Sequence, residues 1–206
     1  MTQSSYLSAV RERVVIFDGA SGTWLQAHEL GPDDFGGEAL EGCNEILCDT
    51  RPELISQMHR EYLEAGADVI ETNSFGAFGV PLAEYDMPER AHELSLKSAQ
   101  LARAAADEFS TPEKPRWVGG SMGPGTKFAT LGNISYEDLR ASYYPSALGL
   151  LEGGVDLFVI ETQFDLLGAK AAMAACRDAM AEVGREVPLQ VQVTIELTGR
   201  MLPGTE

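Results

Sequence analysis

Short apolar runs alternate along the chain with longer stretches in which apolar residues recur every three to four positions. Five runs rich in Val and Ile read as β-strands: Val14–Asp18, Ala67–Thr72, Trp117–Ser121, Asp156–Thr162 and Leu189–Leu197. Four helical patterns lie between them. The first opens on Thr50-Arg51-Pro52-Glu53, where Thr50 is expected to cap the free amides, Glu53 to reach back, and proline to occupy the first turn. Leu54, Ile55, Met58 and Tyr62 then mark one face, and Gly66 closes it. The second runs from about Pro88 to Phe109, with Ala91, Leu94, Leu101 and Ala105 on one stripe. The third begins at Ser135-Tyr136-Glu137-Asp138 and ends at Gly153-Gly154; the alanine-rich fourth covers about Leu166 to Val183.

Repeated strand–helix alternation predicts βα units and a parallel sheet. An internal repeat supports it: Glu64 to Thr72 resembles Glu152 to Thr162, and the two Glu-Thr pairs lie 90 residues apart. The second strand of the repeat is two residues longer, an even number that preserves which side chains face which way. No stretch reads as an interdomain linker; the nearest candidate, Ser110 to Pro115, is a six-residue loop. The long acidic segment His28 to Cys48 follows the first strand, which in a βα barrel puts it at the C-terminal mouth, where active sites sit.

Charge narrows the class of partner. The chain has 206 residues with 15 Lys and Arg against 32 Asp and Glu, a formal net charge of −17, so nucleic acid and anionic membrane surfaces are repelled. Apolar residues at 44% and charged residues at 23% fit a globular protein rather than a disordered one. No apolar run reaches the ~20 residues that span a bilayer. The apolar stretch Val14 to Phe17 is too short for a signal peptide. Three cysteines do not make a disulfide framework, which points to a reduced, cytoplasmic setting. The length suits one domain or part of a larger one.

Candidate chemistry collects where strands end. Asp18-Gly19-Ala20-Ser21-Gly22-Thr23 follows the first strand; its glycines let a ligand approach the backbone, and free amides there suit an anion. It is neither GxGxxG nor a P-loop, and taken alone a tight turn explains it equally well. Gly119 to Gly125 follows the third strand, Glu71-Thr72 ends the second and Glu161-Thr162 the fourth. Acids and Gly-rich turns at the same end of consecutive parallel strands converge in space. Cys43 and Cys48 are five apart and Cys176 sits among alanines, so they read as buried or free thiols. His28, His59 and His92 have no visible triad partner. No catalytic residue is identifiable within the chain.

Taken together, these segments resemble the homocysteine S-methyltransferase family, and within it the cobalamin-dependent branch found as the N-terminal module of methionine synthases. The resemblance rests on Phe17 to Thr23, Gly42-Cys43-Asn44-Glu45-Ile46-Leu47, Arg51-Pro52-Glu53, His59 to Asp68, Glu71-Thr72-Asn73-Ser74-Phe75 and Gly119 to Pro124, in family order. It implies a (β/α)₈ TIM-type barrel whose mouth binds homocysteine. By that resemblance Asp18 and Glu161 receive the substrate ammonium, and backbone amides around Asp18, Gly19 and Thr72 hold its carboxylate. Acids for a cation and glycine-flanked amides for an anion suit a zwitterion.

The family's chemistry uses zinc on three cysteines to favour the homocysteine thiolate, which takes a methyl group from methylcobalamin recharged by 5-methyltetrahydrofolate; other modules bind those two donors. The zinc cysteines of the family follow its sixth and eighth strands, beyond residue 206, so Cys43, Cys48 and Cys176 fall at no ligand position. A (β/α)₈ barrel takes ~250 residues, so the chain is expected to be a partial barrel, truncated after its fifth strand, with residues 1–206 one incomplete homocysteine-binding domain that is inactive alone. Gly76 stands where betaine-dependent relatives carry tyrosine, which favours the cobalamin branch. Two other readings stay open: a methyltransferase using betaine or S-methylmethionine, and a non-catalytic half-barrel that associates with a partner, or with itself, to cover its open edges.

Overall fold

The computed structural model describes residues 5–205; residues 1–4 and 206 of the expected domain lie outside the described residues. Helix α1 (Ser5–Glu12) precedes the first bridge of the sheet. Short helices α2 (Ser21–Gln26), α3 (Pro32–Phe35) and α4 (Leu47–Thr50) lead to α5 (Pro52–Ala65) and strand β1 (Val69–Glu71). Then come α6 (Gly79–Leu82), α7 (Ala91–Phe109), β2 (Trp117–Met122), α8 (Tyr136–Glu152), β3 (Leu157–Gln163), α9 (Leu166–Val183) and β4 (Leu189–Val193). The sheet is parallel throughout, in the order β1-β2-β3-β4. Each crossover carries a helix, as parallel pairing requires.

Both outer strands are shorter than their sequence patterns. The segment from Val14 to Asp18 makes a single parallel bridge, Phe17 to Val69. It has a neighbour on one side only, and the Ile16 amide donates to the Asp68 carboxylate (2.9 Å), which Arg13 braces at 2.7 Å, instead of to a strand. Val14 is 77% exposed. At the other edge β4 stops at Val193; the Thr194 amide reaches the Gln163 carbonyl (2.8 Å), the chain then turns back through Glu196 and Arg200, and Ile195 and Leu197 stay in solvent.

Local signals set most helix ends. The Ser135 hydroxyl accepts the Asp138 amide (3.0 Å) at the start of α8, Asp165 accepts the Leu167 amide (3.0 Å) at the start of α9, and Gly66 ends α5 in the left-handed region at φ 116°. Thr50 does not cap α5. It is the last residue of α4, its hydroxyl donates back to the Ile46 carbonyl (3.2 Å), and Glu53 turns to Arg51 (2.5 Å). The second helical pattern divides into a 3₁₀ turn, Pro88–Arg90, and α7. The segment from His28 to Cys48 is folded, through α3, two 3₁₀ turns and the start of α4, and buries Phe35, Ile46 and Leu47 against Leu54, Ile55 and Met58 of α5.

Alternation along the strands sorts the sheet into two faces. Ile70, Val118, Phe158 and Ile160 pack under α5, α7, α8 and α9. Val69, Trp117, Leu157 and Val159 face the other way, onto Phe17 and Tyr6 of α1. Tyr6 stands edge-on to Trp117 with ring centroids 5.9 Å apart, its hydroxyl donates to Gln190 of β4 (2.8 Å), and the Trp117 indole donates to Ser5 (2.9 Å). On the helical side α7 and α8 touch backbone to backbone: a Cβ on Gly153 would lie 2.5 Å from that of Ala99, and one on Gly149 would collide with the His92 carbonyl.

Candidate active site

Counting along the strands on the α1 face, the next inward positions after Val69, Trp117 and Val159 are Glu71, then Gly119 and Ser121, then Glu161. Asp18 follows the Phe17 bridge. The parallel strands therefore bring three carboxylates, Asp18, Glu71 and Glu161, to one end of the sheet, around a strand whose inward side chains there are a glycine and a serine. Gly119 leaves room for this: a Cβ on it would meet the Val159 side chain at 2.9 Å and Glu71 Cγ at 3.6 Å.

Each acid is held differently. The Asp18 carboxylate accepts the Glu71 amide (2.9 Å), and Glu161 accepts the Ser121 hydroxyl (2.5 Å). The Glu71 carboxylate has no hydrogen-bond partner among the described residues. Burial pushes Asp18 up to about 7, with the Glu161 charge adding to it and the Glu71 amide opposing. Burial likewise pushes Glu71 up to about 8, helped by the charges of Glu161 and Asp18. None of the ion pairs among the described residues involves these three acids. Among the described residues the cluster has no cation, and a cationic group entering it would compensate the cost of burying these charges and offset their mutual repulsion.

Of the expected binding residues, Asp18, Gly19 and Glu161 lie at this end of the sheet with Thr72, but their amides differ. Those of Asp18 and Thr72 are bonded within the sheet, to the carbonyls of Val69 (2.9 Å) and Gly119 (2.9 Å). The Thr72 hydroxyl is engaged too: it accepts the Ser121 amide (2.9 Å) and contacts the Ser74 hydroxyl (2.6 Å), which donates to the Ser121 carbonyl (2.8 Å). Thr72 thus joins β1 to β2 instead of offering groups to a ligand. The Gly19 amide has no partner among the described residues, and a Cβ there would press on the Tyr62 ring at 3.0 Å, whose hydroxyl donates to the Ala20 carbonyl (3.2 Å). The sequence places Glu71 and Ser121 at strand ends without giving either a role; strand parity counted from Val69 and Trp117 puts both on the inward face.

The rim is braced by the Cys43-Asn44-Glu45 segment. Glu45 accepts the Gly76 amide (2.7 Å), and the Asn73 side chain donates to the Asn44 carbonyl (2.7 Å). Phe75 lies across Gly123, where a Cβ would come within 2.5 Å of its ring. The cysteines do not fit a metal centre. Cys43 and Cys48 are buried in the cluster around α5, burial raises both thiols to about 12, and Cys176 of α9 is buried in a separate cluster against Met122. Among the described residues no group of three His, Cys, Asp or Glu side chains is placed to hold a metal ion. A three-cysteine zinc centre therefore finds no ligands in these residues. No helix among the described residues is long and apolar enough to cross a membrane.

Comparison with known proteins gives the same direction at three levels. The chain is 50% identical over 200 residues to the methionine synthases of Mycobacterium leprae and Mycobacterium tuberculosis, a match that covers 97% of this chain but 16% and 17% of those proteins. It thus spans about one sixth of the length of these curated relatives. Its fold superposes on the homocysteine methyltransferase MmuM from Escherichia coli in the metallated form with a TM-score of 0.73 at 24% identity, covering 95% of this chain and 68% of that one. The apo form of the same enzyme gives 0.66 at 25% identity over 95% and 65%. The parallel α/β fold is therefore similar to that of the homocysteine methyltransferase barrel. The profile of the homocysteine S-methyltransferase family matches residues 15–206, and the chain belongs to that family.

Proposed function

We propose that residues 1–206 form the first part of a homocysteine-binding (β/α)₈ barrel, reaching its fifth strand, in an enzyme that moves a methyl group from methylcobalamin to the homocysteine thiol to give methionine. The 50% identity to two methionine synthases favours this donor over betaine or S-methylmethionine. Folate- and cobalamin-binding modules are the partners this reading calls for, with 5-methyltetrahydrofolate recharging the cobalamin. Zinc, when bound, would favour the substrate thiolate, and its ligands would have to come from outside these residues. The apolar side chains left in solvent along both edges, Val14 and Ile16 on one and Val191 and Val193 on the other, support the partial-barrel reading.

One observation carries the site assignment: three carboxylates converge at the strand ends with no cation among them. In this reading Asp18 and Glu161 take the substrate ammonium, the backbone at Gly19 faces its carboxylate, and Thr72 holds the strand ends in register. Replacing Glu161 by glutamine keeps the shape and removes the charge. A charge-assisted hydrogen bond contributes roughly 1.5–3 kcal/mol, so Glu161→Gln in the full-length protein is expected to weaken homocysteine binding about 10- to 100-fold. Isothermal titration paired with a thermal melt tests it. An unchanged dissociation constant beside a lowered melting temperature would mean that Glu161 only supports the fold.

A further inference from the structure

We propose that Ser121 is a positioning residue that aims Glu161 at the substrate ammonium. This rests on the homocysteine-binding reading above and adds a residue that neither the sequence motifs nor the family resemblance assigned.

Two features of β3 make Glu161 need such help. The strand is regular up to Ile160, but its register with β4 shifts between Ile160 and Gln163. Inside that irregularity Thr162 adopts φ 56°, a left-handed conformation that is unfavourable for a β-branched side chain. A bulge of this kind next to a binding site re-aims the neighbouring side chain and ends its pairing. Glu161 therefore leaves the ladder on a bent backbone, and the pleat alone does not fix its direction. The Thr162 hydroxyl lies 3.4 Å from Glu161 Oε2, beyond the ordinary range for two oxygens, and holds it weakly.

Ser121 supplies the fixed point. It is buried, and its hydroxyl donates to Glu161 Oε1 at 2.5 Å. Its own backbone is gripped on both sides, the amide by the Thr72 hydroxyl (2.9 Å) and the carbonyl by the Ser74 hydroxyl (2.8 Å), and those two hydroxyls are 2.6 Å apart. The donor thus sits on a strand end with little freedom, opposite an acceptor whose backbone is irregular. A serine hydroxyl has one proton, and giving it to Oε1 leaves Oε2 as the oxygen to face a cation. The contrast with the other Glu-Thr pair is informative. At Glu71-Thr72 the strand stays in the ladder, with Thr72 donating to Gly119, and Glu71 needs no tether to keep its direction.

The test is a double-mutant cycle in the full-length protein, read by isothermal titration with homocysteine beside thermal melts. Ser121→Ala is expected to weaken binding about 3- to 10-fold, part of the effect of one hydrogen bond to a charged acceptor. In a Glu161→Gln background the same change is expected to do almost nothing, because a residue that acts only through Glu161 has nothing left to position. Ser121→Cys, similar in size but a poor donor, is expected to fall between wild type and Ser121→Ala. Equal effects of Ser121→Ala with and without the Glu161 carboxylate, or none in either, would overturn the proposal. A lowered melting temperature with affinity intact would give Ser121 a purely structural part. If Glu161→Gln itself leaves affinity unchanged, the failure is that of the homocysteine site and not of the tether.

Discussion

Binding of an amino-acid ammonium at this end of the sheet is expected to expel protons. With Asp18 titrating at about 7 and Glu71 at about 8, the empty site at pH 7 holds about 0.5 proton on the first and about 0.9 on the second. A cation placed between them and Glu161 favours the charged forms and so offsets the burial and repulsion that raise both groups, returning the two acids toward their ordinary range near 4. Up to about 1.4 protons per site then leave at pH 7. Methionine is the ligand of choice for the measurement, since it carries the ammonium and carboxylate but no thiol proton of its own. Titrating it in buffers of small and large ionisation enthalpy yields the number of protons as the slope of the observed heat. The sign is fixed: release on binding makes affinity rise with pH, by up to about two to three orders of magnitude between pH 6 and 8. Glu71→Gln is expected to cut the release at pH 7 to about half a proton, that of Asp18 alone. A slope of zero, with affinity flat across that range, would refute the picture of a proton-holding site.

Two further predictions concern stability. Gly153→Ala is expected to destabilise by about 1–3 kcal/mol, because its Cβ would overlap that of Ala99, although helix propensity alone favours alanine over glycine by about 1 kcal/mol; a raised melting temperature would show that α7 and α8 separate freely. His59 is fully buried with both ring nitrogens unpartnered among the described residues, and desolvation lowers it to about 4. The unfolded chain then binds the extra proton between pH 6.5 and 4, so stability falls over that window as pH drops, by about 2–3 kcal/mol at pH 4.5. His59→Leu is expected to be neutral or stabilising at pH 7 and to flatten this acid limb; an identical loss of melting temperature in both proteins on going from pH 7 to 4.5 would contradict it.

The parts of the fold that depend on neighbours in sequence were legible in it. Ser135 caps α8, Gly66 ends α5, and α9 covers Leu166–Val183, because capping and periodicity act within a few residues. Thr50 misled, since a four-residue helix ahead of α5 is too short to show a period and takes the threonine as its own last residue. The outermost strands misled because β-propensity does not reveal whether a neighbour is present: Val14 and Leu197 carry strand-forming side chains and lie in solvent. That Asp18 and Glu161 come to the same end of the sheet was legible because both end strands. The part played by Ser121 depends on a parallel register that sets it opposite Val159, two residues before Glu161, and register is a property of two strands at once. Thr72 looked like a ligand-facing residue for the same reason; only the pairing with β2 shows that its amide and hydroxyl are already bonded.

Helix α1 has a consequence for the order in which the chain assembles. Its partners on the face away from the other helices are Phe17, Trp117, Leu157 and, through Tyr6, Gln190, which lies 184 residues further along. During synthesis at ~5–20 residues per second, roughly 10–40 s separate the emergence of Tyr6 from that of its last partner. Each strand that appears in this interval lays its inward side chains against the same short helix, which precedes them all, so α1 serves as a former around which the growing sheet closes. Deleting it is then expected to slow folding of every strand together, while leaving the helices on the opposite face to pair as before.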